Sequence, residues 1–228
     1  MGDPTTIRRL YGRRAGHRLR AGQAELLDRM LPRLAVPEGG PLDAATLFGD
    51  ARPLALEIGF GRGEHLADQA AAWPDLGLIG CEPFLDGVVG ALGHLRDAAL
   101  DNVRIHMGDA LDVLERLPDA SLERAWLLHP DPWPKARHAK RRFMNDGPIA
   151  LLAAKLRPGG ELRFGTDHPV YCRWAMMVMA RSPAFAWTAE CPADFLARPA
   201  DWPETRYAAK ARRLGHELWH FRYVRRPA

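Results

Sequence analysis

Two patterns of apolar residues alternate along the chain: short continuous runs, and positions repeated at helical spacing. Short, nearly continuous apolar runs bounded by glycine, proline or acidic residues predict buried strands. They cover residues 54–58, 76–80, 103–107, 122–128, 161–165, 184–188 and 217–224. Apolar positions at helical spacing predict helices at 22–34, 84–100, 148–156 and 170–179. Three further helices are predicted with one boundary each: one begins at 64, one ends at 117 and one ends at 213. A turn is predicted at 157–160, where proline and two glycines follow each other.

Strands that alternate with helices predict an α/β fold with a mostly parallel, seven-stranded sheet. Right-handed crossovers then place helices on both faces of that sheet. A chain of 228 residues is long enough for one sizeable domain and too short for two. We expect residues 1–228 to form that domain, with a basic arm at 1–20 that is mobile until it meets a phosphate backbone. The basic segment 205–228 would complete the sheet.

The composition limits the location and chemistry of the protein. No apolar run approaches the roughly 18 residues of a membrane span, and the N-terminus lacks the apolar segment of a secretory signal. Cys81, Cys172 and Cys191 lie far apart, with no C-x-x-C pair. This pattern favours reduced thiols and neither a disulfide framework nor a zinc site. We expect a cytoplasmic protein without a metal and without a membrane partner.

Positive charge is concentrated in three segments. Residues 1–20 have a net charge of +5, residues 135–142 of +5 and residues 205–228 of +6, which leaves −12 for the rest of the chain. Such segregation is typical of proteins that bind a polyanion, although basic tails can also simply increase solubility. The internal segment favours the polyanion, because it lies next to the candidate chemistry described below.

A glycine turn follows the first predicted strand, in the order Glu57-Ile58-Gly59-Phe60-Gly61-Arg62-Gly63. Position 64 is glutamate, where a dinucleotide fingerprint needs glycine, and the Gly-Lys-Ser/Thr of a phosphate loop is absent. The spacing resembles the first motif of class I S-adenosylmethionine-dependent methyltransferases. Glu82 and Asp109 end the next two strands, where they could accept hydrogen bonds from ribose hydroxyls and an adenine amino group. Three acids at successive strand ends suit a cationic sulfonium and would repel a pyrophosphate.

The stretch HPDPWPKARHAKRRFMN, residues 129–145, follows the fourth predicted strand. It holds one acid, Asp131, between two prolines and beside Trp133. The cationic side chains after it are Lys135, Arg137, Lys140, Arg141 and Arg142, with His138 among them. An isolated carboxylate next to a cationic cluster suits an enzyme that acts on a nucleic-acid base. Trp133 either stacks on a base or adenine or, as is more usual in such turns, packs within the protein.

Taken together, these segments resemble the bacterial tRNA (guanine-N7-)-methyltransferase family, whose members methylate guanosine 46 in the variable loop. The similarity covers most of the chain. It is carried by YGRR at 11–14, LEIGFGRGEHL at 56–66, IGCE at 79–82, GDA at 108–110, PDPWPKARHAKRR at 130–142, Thr166-Asp167, Thr205-Arg206-Tyr207 and LGH at 214–216. The resemblance implies a Rossmann-like class I methyltransferase fold, S-adenosylmethionine as cofactor and tRNA as partner.

The resemblance also implies roles for individual residues. Glu57, Glu82 and Asp109, with the backbone of Gly59 and Gly61, would contact S-adenosylmethionine. Asp131 would complete that site and act as the catalytic acidic residue. Substrate contacts would come from Lys135, Asp167, Thr205, Arg206, Tyr207 and Ala208. We expect phosphate contacts from Arg13, Arg14, Arg137, His138, Lys140, Arg141 and Arg142.

One segment departs from the family pattern. The usual Thr-Lys-Phe-Glu reads Thr205-Arg206-Tyr207-Ala208 here, so the carboxylate at position 208 is missing. Either that contact is dispensable, or another acid such as Glu204 replaces it.

Two other functions are compatible with parts of the sequence. Asp131-Pro132-Trp133-Pro134 is superficially similar to the Asp/Asn-Pro-Pro-aromatic turn of methyltransferases that act on exocyclic amines, but those lack the basic run that follows. A non-catalytic RNA-binding protein on the same scaffold is the second alternative, and the full set of acids argues against it. We expect a monomer or a weak homodimer.

Overall fold

A computed structural model describes residue 16 and residues 18–227 of the chain. Most of the predicted basic arm, with Arg13 and Arg14, therefore lies outside the described residues. The remainder forms alternating strands and helices around one sheet.

Seven strands form this sheet, as predicted. They are β1 Leu54–Ile58, β2 Gly77–Cys81, β3 Val103–His106, β4 Leu122–Leu128, β5 Leu156–Thr166, β6 Phe185–Trp187 and β7 Trp219–Arg225. Their order is β3-β2-β1-β4-β5-β7-β6. Neighbours from β3 to β5 are parallel, whereas β7 runs antiparallel to both β5 and β6. The C-terminal strand is thus inserted between two earlier strands.

The described residues form nine α-helices. They are α1 Ala21–Leu34, α2 Ala44–Phe48, α3 Glu64–Ala72, α4 Leu85–Asp97, α5 Ala110–Leu114, α6 Asp146–Lys155, α7 Pro169–Arg181, α8 Ala193–Leu196 and α9 Arg206–Arg213. The sequence did not predict α2 and α8, since helices of five and four residues are too short to show a period. Local chemistry fixes α2: the Asp43 side chain accepts a hydrogen bond from the Thr46 N–H at 2.7 Å, satisfying a free amide of the first turn.

The strand β5 corrects one predicted boundary. It begins at Leu156, five residues before the predicted strand, and includes the predicted turn. Leu122 pairs with Leu156 but Arg124 pairs with Glu161, so β5 carries extra residues opposite β4. Gly159, at φ +79°, supplies the left-handed backbone at this irregularity.

Helices cover both faces of the sheet, as predicted. Successive strand residues point to opposite faces, so Leu56 and Leu127 join one apolar cluster, and Ala55 and Trp126 join the other. The first cluster includes buried residues of α5, α6 and α7, and the second includes those of α1, α3 and α4. The carboxyl ends of β1 to β4 are left open at one edge of this sandwich.

Neither edge of the sheet is a long strand with an open row of backbone groups in the described residues. At the β3 edge, Ala35 forms a parallel bridge with Ile105, and the Val36 N–H donates to the Ile105 carbonyl at 2.9 Å. At the opposite edge, β6 is only three residues long. None of the described helices is long and apolar enough to cross a membrane.

Candidate active site

The four predicted cofactor acids lie on a single cleft of about 1610 Å³. Glu57 belongs to β1, and Glu82, Asp109 and Asp131 follow β2, β3 and β4. Parallel strands bring these positions together, because their carboxyl ends meet at the same edge of the sheet. We call these four carboxylates the floor of the cleft.

The glycine turn connects β1 to α3 and lines the cleft with Gly59 and Gly61. Gly61, at φ +59°, turns its N–H toward Glu82 and donates to its Oε2 at 2.9 Å. At Gly63, a Cβ would lie 2.4 Å from the Cβ of Ala91. Glycine at this position therefore allows α3 to pack closely against α4. The turn is held by its neighbours and leaves backbone atoms exposed to the cleft.

Glu82 is 9% exposed and connects the glycine turn to the start of α4. Its Oε1 accepts from the Phe84 N–H at 2.9 Å, and its Oε2 accepts from Gly61. Burial raises the pKa of Glu82 above its ordinary value, and the charges of Asp131 and Glu57 raise it further, against the effect of the two N–H donors. A positive charge in the cleft would relieve this concentration of negative charge.

Glu57 is 3% exposed and has a partner that the sequence did not reveal. Its Oε2 lies 2.8 Å from Nδ1 of His65, which is 2% exposed and lies in the first turn of α3. The His65 ring meets Trp126 edge to face at 5.3 Å. No hydrogen-bond partner reaches the buried His65 Nε2 from the described residues. His65 and Glu57 both line the cleft, so the imidazole holds the buried carboxylate in place.

Asp109 and Asp131 differ in how they are held. Asp109 caps α5, where its Oδ1 accepts from the Leu111 N–H at 3.0 Å. Asp131 is exposed, and nothing in residues 18–227 forms a hydrogen bond or ion pair with its carboxylate. His129 and Trp133, two residues before and after it, have φ of +50° and +43°, a conformation that non-glycine residues rarely adopt. The loop thus presents a carboxylate that is available to a ligand.

Arg142, predicted to contact phosphate, has contacts within the protein that stabilise this loop. The side chain is 4% exposed. It donates from Nε to the Pro132 carbonyl at 3.1 Å and from Nη2 to the Trp133 carbonyl at 2.8 Å. Its guanidinium also lies 4.7 Å from the centre of the Trp174 ring. A side chain engaged in this way supports the loop, and it also lines the cleft.

The rest of the cationic cluster divides into two groups. Lys140 and Arg141 line the cleft, whereas Lys135, Arg137 and His138 lie outside its lining. Trp133 also lines the cleft and packs within the protein. The Arg141 guanidinium lies 4.8 Å from the centre of its ring, and the His138 ring meets it edge to face at 5.9 Å. The 3-10 helix Ala136–Arg141 produces this division by turning successive side chains to different sides.

Asp167 also lies outside the lining of the cleft. Its Oδ2 is 3.1 Å from His216 Nδ1, and its Oδ1 is 4.0 Å from His129 Nδ1, which is longer than a hydrogen bond. The pKa of Asp167 is well below its ordinary value, because the nearby His129 lowers it most and His216 lowers it further. Burial of the carboxyl opposes this shift. The carboxylate is therefore anionic and links the loop after β4 to the segment before β7.

The segment from Thr205 to Ala208 forms the start of α9. Thr205 Oγ1 accepts from the Ala208 N–H at 3.2 Å, so the threonine is the helix cap. Thr205, Arg206 and Tyr207 line the cleft, but Ala208 is 3% exposed and does not. Glu204, the possible replacement for the missing acid, forms an ion pair with Arg212 at 2.7 Å. Two further cations line the cleft from α9, Lys210 and Arg213, which the sequence analysis did not single out.

The chemistry of these residues fits S-adenosylmethionine. Carboxylates at successive strand ends match a cationic ligand with two ribose hydroxyls, and the glycine turn offers close approach without a phosphate cradle. No group of three or more His, Cys, Asp and Glu side chains that could hold a metal ion occurs in the described ranges 16 and 18–227.

The strand order, the antiparallel β7 and the acids at the strand ends define a class I methyltransferase. An rRNA methylase from Streptococcus thermophilus shares this fold with a TM-score of 0.51 and 13% identity, over 78% of this chain and 89% of that one. A family model described as "Putative methyltransferase" matches residues 51–221.

Curated relatives match almost the whole chain. The tRNA (guanine-N(7)-)-methyltransferase of Zymomonas mobilis subsp. mobilis is 64% identical over 98% of this chain and 96% of its own length. The protein of the same name from Sphingopyxis alaskensis is 60% identical over 99% and 98%. The chain belongs to the bacterial tRNA (guanine-N7-)-methyltransferase family.

Proposed function

We propose that the protein transfers the methyl group of S-adenosylmethionine to N7 of guanosine 46 in the variable loop of tRNA. The observation that carries the proposal is the distribution of charge in the cleft. Four carboxylates form its floor, and cations from the 3-10 helix and α9 line it as well. The floor suits a sulfonium, and the cations suit a polyanion. The relatives that match nearly the full chain are named tRNA (guanine-N(7)-)-methyltransferase, which supports the coarser part of the proposal.

S-adenosylmethionine, when bound, supplies an electrophilic methyl group on a positively charged sulfur. We assign Glu82 to the ribose hydroxyls and Asp109 to the adenine amino group, with Glu57 and the backbone of Gly59 and Gly61 as further contacts. The oxygens of Glu82 already accept one backbone N–H each, and a carboxylate oxygen can accept a second donor. His65 would keep Glu57 oriented toward the cofactor.

Guanine N7 carries a lone pair and no proton, so the enzyme needs no base to remove one. Proximity and in-line orientation can then supply roughly 7–11 kcal/mol of the barrier reduction. We assign Asp131 to the guanine N1–H and N2–H groups, which would direct N7 toward the methyl. Its charge would also stabilise the positive charge that develops on the purine. The absence of a competing partner in the described residues supports this role.

The tRNA would be bound by groups around the cleft. The residues that line it are Lys140, Arg141, Thr205, Arg206 and Tyr207, and we assign the more peripheral Lys135, Arg137, His138 and Asp167 to flanking nucleotides. Phosphate contacts provide affinity and register but no sequence information. We place the enzyme in the cytoplasm with its tRNA substrate.

Nucleoside analysis tests the proposal. Purified protein is incubated with S-adenosylmethionine and unmodified tRNA, and the digested RNA is analysed for 7-methylguanosine. A tRNA with adenosine at position 46 is the matched control and should remain unmethylated. N2-methylguanosine or N6-methyladenosine would instead indicate an exocyclic-amine enzyme. Failure to bind S-adenosylmethionine in calorimetry would indicate an RNA-binding protein without catalysis.

Asp131 provides a second test. We expect Asp131→Ala to lower turnover on the order of 10²-fold or more, because the purine loses its orienting carboxylate. Binding of tRNA should change much less, because phosphate contacts dominate it. Turnover and the tRNA dissociation constant are measured on the same preparation. Near-normal turnover would remove Asp131 from the mechanism.

A further inference from the structure

The helix α9 lies directly above the glycine turn. A Cβ at Gly61 would lie 3.2 Å from the Tyr207 ring, although Tyr207 itself is 55% exposed. The buried side of the helix consists of Ala208 and Ala211. The helix therefore rests on the protein through two small residues and extends its long side chains into the space around the cleft.

Three of these side chains form a stripe along the cleft. Arg206, Lys210 and Arg213 are separated by four and then three residues, which places them on one side of a helix. All three are exposed and line the cleft. In residues 16 and 18–227, no carboxylate forms an ion pair with any of them. Their charges are therefore available to a partner from outside the protein.

Arg212 is different, although it belongs to the same helix. It does not line the cleft, and its Nη1 forms an ion pair with Glu204 Oε1 at 2.7 Å. The helix thus carries its charge on two sides, and only one of them faces the cleft.

The 3-10 helix contributes Lys140 and Arg141 to the lining, and Arg62 and Arg142 line the cleft as well. The four carboxylates of the floor line the same cleft. A phosphate is repelled by the floor and attracted by both groups of cations. A nucleotide whose base reaches the floor must therefore keep its phosphates away from the carboxylates and close to the cations.

We propose that Lys210 and Arg213 of α9 form a second phosphate-binding surface, which holds the tRNA backbone in addition to Lys140 and Arg141. The proposal depends on the proposed function, in which tRNA is the substrate. In this arrangement the cations of α9 and those of the 3-10 helix bind different phosphates around the nucleoside that enters the cleft. Neither residue was assigned a role from the family resemblance.

The test measures how the affinity for unmodified tRNA depends on salt. The double variant Lys210→Gln/Arg213→Gln is compared with Arg212→Gln, a matched removal of charge from the other side of the same helix. Dissociation constants are measured between about 50 and 300 mM KCl. Calorimetry with S-adenosylmethionine on each variant shows whether the cofactor site is intact.

We expect the double variant to lower the slope of log K against log salt by about 2, because each phosphate contact contributes about 1. Its affinity at about 0.1 M salt should fall tenfold or more. Arg212→Gln should retain the wild-type slope, and all variants should bind S-adenosylmethionine as the wild type does. Adding Lys140→Gln to the double variant should lower the slope again by about 1.

Two results would overturn the proposal: an unchanged slope in the double variant, or an equal loss in Arg212→Gln, which would indicate a general effect of net charge. The activity of the wild type separates this outcome from a failure of the proposed function. If the wild type forms 7-methylguanosine but the slope does not change, only the α9 surface is excluded. If it forms none, the proposed function itself is wrong.

Discussion

His65 connects the first turn of α3 to the floor of the cleft. Its Nδ1 lies 2.8 Å from Glu57 Oε2, and both side chains are almost completely buried. Removing one partner of a buried ion pair destabilises a fold by about 3–5 kcal/mol. The pair therefore contributes both to stability and to the position of a carboxylate that we assign to the cofactor.

Two amide variants test whether the contact through Nδ1 is what matters. We expect His65→Leu to lower the free energy of unfolding by about 3 kcal/mol and to weaken binding of S-adenosylmethionine. His65→Asn places its amide near the Nδ1 position and should recover much of both losses. His65→Gln places it near the Nε2 position and should not. Urea unfolding and calorimetry provide the two measurements, and a fully stable His65→Leu would show that the pair is unimportant.

At the scale of single residues, the sequence identified the acids but not what surrounds them. Glu57, Glu82, Asp109 and Asp131 could be predicted because strand ends converge in a parallel sheet. The contact between Glu57 and His65 could not, since it depends on how α3 leaves the glycine turn. Arg142 was indistinguishable from its neighbours in a run of cations, and its burial is set by the 3-10 helix. The cationic stripe on α9 could have been predicted from the sequence, because Arg206, Lys210 and Arg213 are spaced at four and three residues.

The loop from His129 to Asn145 is an element without regular strand or long helix, and side chains replace a repeating hydrogen-bond pattern. Arg142 donates to the Pro132 and Trp133 carbonyls, and Asn145 Nδ2 donates to the Ala139 carbonyl at 3.1 Å. Residues that flank Asp131 have unusual backbone angles, which persist only where surrounding contacts maintain them. The geometry of the presented carboxylate thus depends on these contacts.

Replacement of the arginine tests that dependence. Arg142→Lys leaves one ammonium that cannot reproduce the planar fork toward two carbonyls. We expect unfolding to become easier by about 1–3 kcal/mol, with a loss of methyl transfer. Lys140→Gln, an exposed charge removal in the neighbouring 3-10 helix, should change stability by less than about 0.5 kcal/mol. Equal stability of the two variants in urea unfolding would contradict the structural role of Arg142.

At the scale of elements, most strands and helices were predicted, and the exceptions are the short helices α2 and α8 and the irregular start of β5. All seven strands were predicted from apolar runs, with boundaries that differ by a few residues. The strand β5 was predicted too short, because Pro158, Gly159 and Gly160 indicate a turn even though the chain continues as an irregular strand. The insertion of β7 between β5 and β6 could not be read from local periodicity, because strand order depends on long-range packing.

The segment that leads to α9 contacts α3, β5 and β7 and so connects distant parts of the molecule. Asp201 binds Arg163 of β5 through its carboxylate at 2.5 Å, and its carbonyl accepts from Gln69 of α3 at 3.0 Å. Trp202 packs edge to face on His220 of β7 at 5.3 Å. These contacts fix the start of α9 to the sheet, so the stability of the fold and the position of the cleft are coupled.

Acidity should weaken this junction. Burial lowers the pKa of His220 to about 4, and the charges of His129 and Arg198 contribute. The unfolded chain, with a histidine pKa of about 6.5, binds the proton first. Stability should therefore fall as pH drops from about 6.5 to 4, by up to about 3 kcal/mol for this group. Urea unfolding across this range should show a shallower dependence for His220→Gln, and an unchanged dependence would exclude His220 as the cause.

The two edges of the sheet have a consequence for behaviour at high concentration. An open edge strand exposes a row of unpaired backbone groups, to which a second chain can add as a further strand and so start aggregation. Here the backbone at Ala35 and Val36 bonds to Ile105 at one edge, and the other edge ends in a strand of three residues. Neither edge offers a long template for strand addition, so the fold is protected against edge-to-edge association even where the enzyme is concentrated around its substrate.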